Sequence, residues 1–244
     1  MPHFIELLAL IVLAAALYSA VGQGGGSGYL AAMVLLGLSP AVMKPAALAM
    51  NMGVTALALM LTGGLREIPP KLFAPLAVTS IPAAAVGGYF LPETAVYALL
   101  VGVSLLIAAG SLFWGRPRAM VSSPPGCVVL IPVGLALGLL SGLTGVGGGI
   151  FLSPLVLLMG WAPLPNVMSM SAAFIFLNSA AALAGFGLSG LEWPQGLAFM
   201  MVAALVGSWV GIRVARPHLG SLALRRLLAG VLVIAALRLI LGAL

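Results

Sequence analysis

The sequence predicts an all-α polytopic membrane protein built from two inverted repeats, each of about five hydrophobic segments with a broken or re-entrant second segment. Three observations predict it. Of 244 residues, 63% are apolar and only 6% charged, whereas about a quarter of a soluble domain is charged because its surface faces water. Apolar stretches long enough to lie in lipid recur along the whole chain. A glycine-rich turn also occurs twice at matched positions.

The repeat is read from glycine and proline. Val21-Gly22-Gln23-Gly24-Gly25-Gly26 is matched, 123 residues on, by Thr144-Gly145-Val146-Gly147-Gly148-Gly149. The same offset pairs Gly37 with Gly160 and Pro40 with Pro163, and small gaps then pair Gly87 with Gly211 and Gly102 with Gly230. Membrane repeat 1 is placed at 1–118, a polar linker at 119–126 and membrane repeat 2 at 127–244. The apolar segments of the first are about 4–21, 28–39, 45–63, 72–91 and 95–114; those of the second are about 128–143, 150–161, 165–186, 195–215 and 222–243. A span takes about 20 residues, so the second segment of each half is short. Short, glycine-interrupted segments at equivalent places point to discontinuous helices around a transport site. The opening stretch is read as a retained helix, because no Lys or Arg precedes it and no small-residue cleavage site follows.

Loop charge suggests an orientation. Gaps at Arg66 and Lys71, at Arg116 and Arg118, and at Arg213, Arg216, Arg225 and Arg226 are basic. Those at Glu93 and Glu192 are not. With basic gaps cytoplasmic, each half crosses an odd number of times, by three spans or by one span and a re-entrant hairpin, which inverts the second half relative to the first. The net charge of +6 is spread over these gaps, so no nucleic-acid patch is expected.

Other chemistry finds little footing. There are four acidic residues and two histidines, and no pair of carboxylates shares a helix face for acid–base work. Neither catalytic nor metal-binding residues are assigned, and no cofactor is expected. Gly22 to Gly28 lacks a preceding strand and the Lys-Ser or Lys-Thr of a phosphate loop. The single cysteine, Cys127, excludes an internal disulfide and is read as a buried thiol. Trp114, Trp161, Trp193 and Trp209 suit an interfacial belt.

In so apolar a chain, backbone N–H groups are the main source of polar contacts. Gln23, Gly24, Gly25, Gly26 and Ser27, and later Gly147, Gly148 and Gly149, can adopt conformations closed to other residues. Their N–H groups then form an anion-binding nest at the positive end of the helix that follows. Close helix packing is the plainer alternative for one such turn; two matched copies favour a site. Asn51 and Thr55, four apart, share one helix face, and so do Ser171 and Asn178, seven apart. Ser169, Ser179, Thr79 and Ser80 are further neutral donors. Lys44, between the second and third segments, is read either as a cation drawing an anion toward the first turn or as a snorkelling interface lysine.

Taken together, Val21 to Gly28 (Val-Gly-Gln-Gly-Gly-Gly-Ser-Gly), Gly37, Gly142 to Gly149 (Gly-Leu-Thr-Gly-Val-Gly-Gly-Gly), Pro154, Gly160, Ser169 and Ser171 resemble the sulfite exporter TauE/SafE family of permeases. Ala31 stands where the second copy has Pro154. The resemblance implies a multi-spanning bacterial inner-membrane protein that moves sulfite, sulfonates or related sulfur oxyanions. The expectation is alternating access at the repeat interface, one repeat rocking against the other, with an anion channel or a non-transporting scaffold subunit as alternatives. The expected partners are a small anion and the lipid bilayer, with homo-oligomerisation left open.

Overall fold

Ten α-helices and no strand form among the described residues, which are 3–20, 23–114, 125–189, 193–215 and 222–243 of a computed structural model. They are α1 (Phe4–Ala20), α2 (Gly26–Leu35), α3 (Pro40–Thr62), α4 (Pro70–Tyr89), α5 (Thr94–Trp114), α6 (Cys127–Thr144), α7 (Gly149–Leu158), α8 (Leu164–Leu188), α9 (Leu197–Val210) and α10 (Leu222–Ala243). A 3-10 turn, Gly64–Glu67, follows α3, and a π-helical turn, Gly211–Ala215, continues α9. Each expected segment is one helix. Val21 and Gly22, Arg116 and Arg118 with most of the linker, Glu192, Arg216 and His218 lie outside the described residues, as do the side chains of Arg225, Arg226 and Trp114.

The short second segments end identically. Gly37 and Gly160 take positive φ values of 72° and 67°. Leu38 N–H bonds to Met33 C=O and Gly37 N–H to Val34 C=O; Trp161 to Val156 and Gly160 to Leu157 repeat the pattern. This is the Schellman ending, in which a left-handed glycine lets two N–H groups reach orphan carbonyls. At ten residues each, α2 and α7 are about 15 Å long, half of a hydrocarbon core. Helices α3, α4, α6 and α8, and α9 extended to Val214, are long and apolar enough to cross a membrane.

Both short helices return to the side from which the chain came. His3, Phe4 and Leu7 line one cavity with Leu36 to Ser39, so α1 and α2 form a hairpin on the side of Pro40. Helix α6 runs parallel to α4, with Gly134 on Leu76 and Gly142 on Ala84, and its end reaches Lys44. Helix α7 then leads back to Leu164, which lines a cavity with Thr62 and Arg213 on the opposite side. Helices α3 and α8 cross antiparallel between the hairpins, Leu48 lying with Ala182 and Leu59 with Ala172.

Pairing across the halves follows one rule. Helix α4 packs on α6 and α8, α9 packs on α1 and α3, and α5 packs on α10. One close seam is α4 against α6. Gly134, Gly138 and Gly142 stand on one face of α6, and a Cβ on each would strike the backbone of Leu76, Ser80 and Ala84 respectively. The related seam is Gly207 and Gly211 on Val12 and Ala16 of α1. Small residues four apart let backbones touch, which is how helices associate where no hydrophobic force separates lipid from leucine. Thr79 and Ser80 serve this seam, their hydroxyls bonding α4 carbonyls at Pro75 and Ala77.

Buried helix ends must find donors for their last carbonyls. Distant side chains supply them. Tyr97 Oη donates to Thr144 C=O at 3.0 Å, and Arg238 donates to Leu35 C=O. Lys44 Nζ donates to Gly87 C=O at 2.9 Å, Gly88 C=O at 3.0 Å and Phe90 C=O. Lys44 is fully buried. The snorkelling reading does not hold for it: its ammonium is held by the carbonyls at the end of α4. Cys127, expected buried, is exposed at the first residue of α6.

Candidate functional site at the meeting of two glycine turns

The two glycine turns touch in the interior. A Cβ on Gly26 would lie 2.5 Å from Val146 C=O and 2.5 Å from Asn51 Nδ2; one on Gly147 would lie 2.9 Å from Asn51 Nδ2 and 3.3 Å from Ser179 Oγ. Only glycine permits this approach. The copies differ in backbone, however. Gly145, Gly147 and Gly148 have φ of 81°, 87° and 77°, all left-handed, while none of Gly24, Gly25, Gly26 or Gly28 does. Left-handed backbone is thus found at Gly147 and Gly148 but not at Gly149, and the described glycines of the first turn are needed for space. Gly24, for example, lies against Thr55 Cγ2 and Ile175.

Asn51 ties the turns together. It is fully buried, and its Nδ2 donates to Gly145 C=O at 3.3 Å and Val146 C=O at 3.1 Å. Thr55 directs its hydroxyl to Asn51 C=O of its own helix at 2.7 Å, leaving its methyl toward Gly24. Asn178 Nδ2 donates to Phe174 C=O at 2.8 Å. Ser171 bonds Ser153 of α7, oxygen to oxygen, at 2.7 Å, which fixes α7 on α8. Ser169 lies further out, donating to Glu67 Oε2 at 3.3 Å. Gln23 N–H bonds Tyr18 C=O at 2.9 Å and is partly exposed.

Around the turns, several buried oxygens have no hydrogen-bond partner among the described residues: Asn51 Oδ1, Asn178 Oδ1, Ser141 Oγ, Ser179 Oγ and Tyr29 Oη. Ser27 and Tyr18 bring their hydroxyls side by side at the start of α2. Buried polar groups left unpaired are costly, so native interiors keep few of them. Here they gather where the N-termini of α2 and α7, each carrying about half a positive charge, end at Gly26 and Gly149.

Sequence reasoning missed Ile175. It touches Gly24, Gly147 and Gly149, filling the space between the turns, and in an apolar chain nothing marks it. It also missed Ser141, which lies under Gly148. A cavity of about 400 Å³ opens on the Thr62 side, lined by Ser19, Thr62, Glu67, Ser169, Ala172 and Arg213 among others. Its inner residues Leu59 and Ala172 stand about one helical turn from Thr55 and Ile175.

Asn51→Ala is expected to remove two hydrogen bonds to the second turn, at roughly 1–3 kcal/mol. The melting temperature of purified protein should fall, and any ligand-induced rise should disappear. An unchanged melting curve with the ligand effect intact would show that the amide does not order the turn.

Broken hairpins entering from two sides, with their glycine tips in contact at the centre of an apolar helical bundle, define a polytopic membrane transporter. The comparisons agree. The family model for the sulfite exporter TauE/SafE matches residues 7–239, and the chain belongs to that family. It is 35% identical over 240 residues to the probable membrane transporter protein y4hK of Sinorhizobium fredii, with 96% of each chain covered. Shorter matches are to sulfite exporter TauE/SafE family protein 1 of Arabidopsis thaliana, 35% over 89 residues, and to the probable membrane transporter protein MamO of Paramagnetospirillum magneticum, 33% over 110 residues. Those two cover 36% and 41% of this chain, and 20% and 17% of the relatives' own lengths.

Proposed function

We propose that this transporter carries a small sulfur oxyanion, such as sulfite or a sulfonate, across a bacterial inner membrane by alternating access. The observation that carries the reading is the cluster of unpartnered buried hydroxyls, those of Ser27, Tyr29, Ser141 and Ser179, around two helix N-termini. Hydroxyls and backbone N–H groups at a helix start suit an anion that must bind and then leave. Neutral donors hold it without the deep trap of a buried cation. The two halves act as inverted repeats. Support comes from the exchange of partners between them, α4 with α6 as α9 with α1, and from the antiparallel crossing of α3 and α8. Such repeats place substrate at their interface near the midplane. With Arg66, Lys71 and Arg213 on the cytoplasmic side, the 400 Å³ cavity faces the cytoplasm.

Counterflow of labelled sulfite in liposomes containing the purified protein tests this. Unlabelled sulfite on the far side should accelerate uptake, and Asn178→Ala should reduce the exchange. Flux indifferent to the far side would mean a pore. Absence of flux, with no oxyanion raising the melting temperature, would mean a scaffold; either result rejects the proposal.

A further inference from the structure

We infer that the cavity between α3, α8 and the π-helical turn after α9 is an antechamber in which Arg213 collects the oxyanion and Glu67 holds the net charge at zero, so that the guest accepted further in is singly charged. The inference rests on the transport reading and adds the charge class of its substrate.

The cavity holds one charge of each sign. Arg213 stands on the π turn Gly211–Ala215, an irregularity of helices that gathers at functional sites. Gly211, pressed on the backbone of Ala16, anchors the start of that turn. Glu67 ends the 3-10 turn after α3 and is steadied by the Ser169 hydroxyl at 3.3 Å. The two charges share a cavity without forming an ion pair; among the described residues the only pair is His3 with Glu6. Both are exposed to the cavity mouth, and the hydroxyls of Thr62, Ser169 and Ser19 lie on the same lining. Ser19 in turn donates to Ser208 at 2.9 Å, which orients it. Arg66 and Lys71 lie on this side of the protein but not on the cavity lining.

Charge balance then sets the guest. Arg213 and Glu67 cancel, so the antechamber has no net charge to offer. Deeper in, the Lys44 ammonium is directed at three carbonyls of the negative C-terminal end of α4 rather than at the guest. What remains for the anion is the two helix N-termini, each equivalent to about half a positive charge. Their sum is about one. A monoanion is matched at the centre, whereas a dianion would carry one uncompensated charge into a low-dielectric interior, where such charges are strongly disfavoured. At the mouth the guanidinium attracts and the carboxylate repels. Repulsion doubles with the guest's charge, as attraction does, but only the singly charged guest finds its charge neutralised further in.

Proteoliposomes exchanging labelled sulfite, buffered acid enough to keep it as singly charged hydrogensulfite, provide the test, with methanesulfonate as the singly charged competitor and sulfate as the doubly charged one. Wild type should be inhibited by methanesulfonate and not by equal sulfate. Removing the repelling charge in Glu67→Gln should strengthen sulfate competition by about ten-fold, the lower end of electrostatic focusing in a charged cleft. Arg213→Gln should raise the KM for sulfite by about ten-fold with little change in maximal rate, and Arg213→Lys should recover most of it. Sulfate competing as well as methanesulfonate in wild type, or Arg213→Gln retaining the wild-type KM, would overturn the inference while leaving transport in place. If wild type exchanges no sulfite at all, the transport reading falls first. Equal melting temperatures among the variants exclude misfolding as the cause of a changed KM.

Discussion

Gly138→Leu is expected to leave little folded protein in the membrane. The Cβ alone would enter the space of the Ser80 backbone, and backbone, unlike the end of a flexible side chain, has nowhere to rotate. Overpacking of a well-filled site costs about 1–3 kcal/mol and occasionally more. This position belongs at the upper end, because Gly134 and Gly142 hold α6 in the same register on either side. At roughly 2–4 °C per kcal/mol for a chain of this size, the melting temperature should drop by about 6–12 °C, and yield in detergent should fall with it. Gly187→Ala is the control: a Cβ there meets nothing within 4 Å, and alanine favours a helix over glycine by up to about 1 kcal/mol. If both variants melt like the wild type, the α4–α6 seam is not the close backbone contact described.

Lys44→Met should be nearly as damaging. Methionine matches the length of the lysine stem but donates nothing, leaving the carbonyls of Gly87, Gly88 and Phe90 without their shared ammonium. Each buried acceptor so abandoned costs about 1–3 kcal/mol. Deleting a buried charge returns some of that, so a net loss of about 2–4 kcal/mol is expected. Thermal unfolding followed by size-exclusion chromatography would register it. Arginine should rescue only in part, since its planar fork cannot reproduce the compact geometry of three bonds to one nitrogen. A methionine variant as stable as wild type would mean that water satisfies the end of α4.

How much of this was legible beforehand depended on whether the signal was local. Gly37 with Pro40 and Gly160 with Pro163 marked the ends of α2 and α7 and the starts of α3 and α8, because a left-handed glycine and a proline act within one turn of where they stand. The ten apolar segments became ten helices for the same reason. Asn51 was found because an amide in an apolar segment is conspicuous. Its partners, 94 and 95 residues away, were not visible. Nor was the partner of Lys44, which the sequence leaves beside a glycine turn and the fold delivers to α4. Ile175 carries no mark at all. Gly134, Gly138 and Gly142, spaced every four residues, form a seam readable from spacing alone, though the denser glycines of the turns are the stronger signal.

The arrangement of that seam changes what counts as a moving part. Helix α4 sits with α6 and α8, and α9 sits with α1 and α3, so each half of the chain has lent its fourth helix to the other. Rocking one sequence half past its counterpart would tear both glycine seams. Under the alternating access proposed above, the shifting bodies would be mosaics, α4 with α6 to α8 against α9 with α1 to α3, and severing the chain at the linker would yield two fragments, each holding a piece that completes its neighbour.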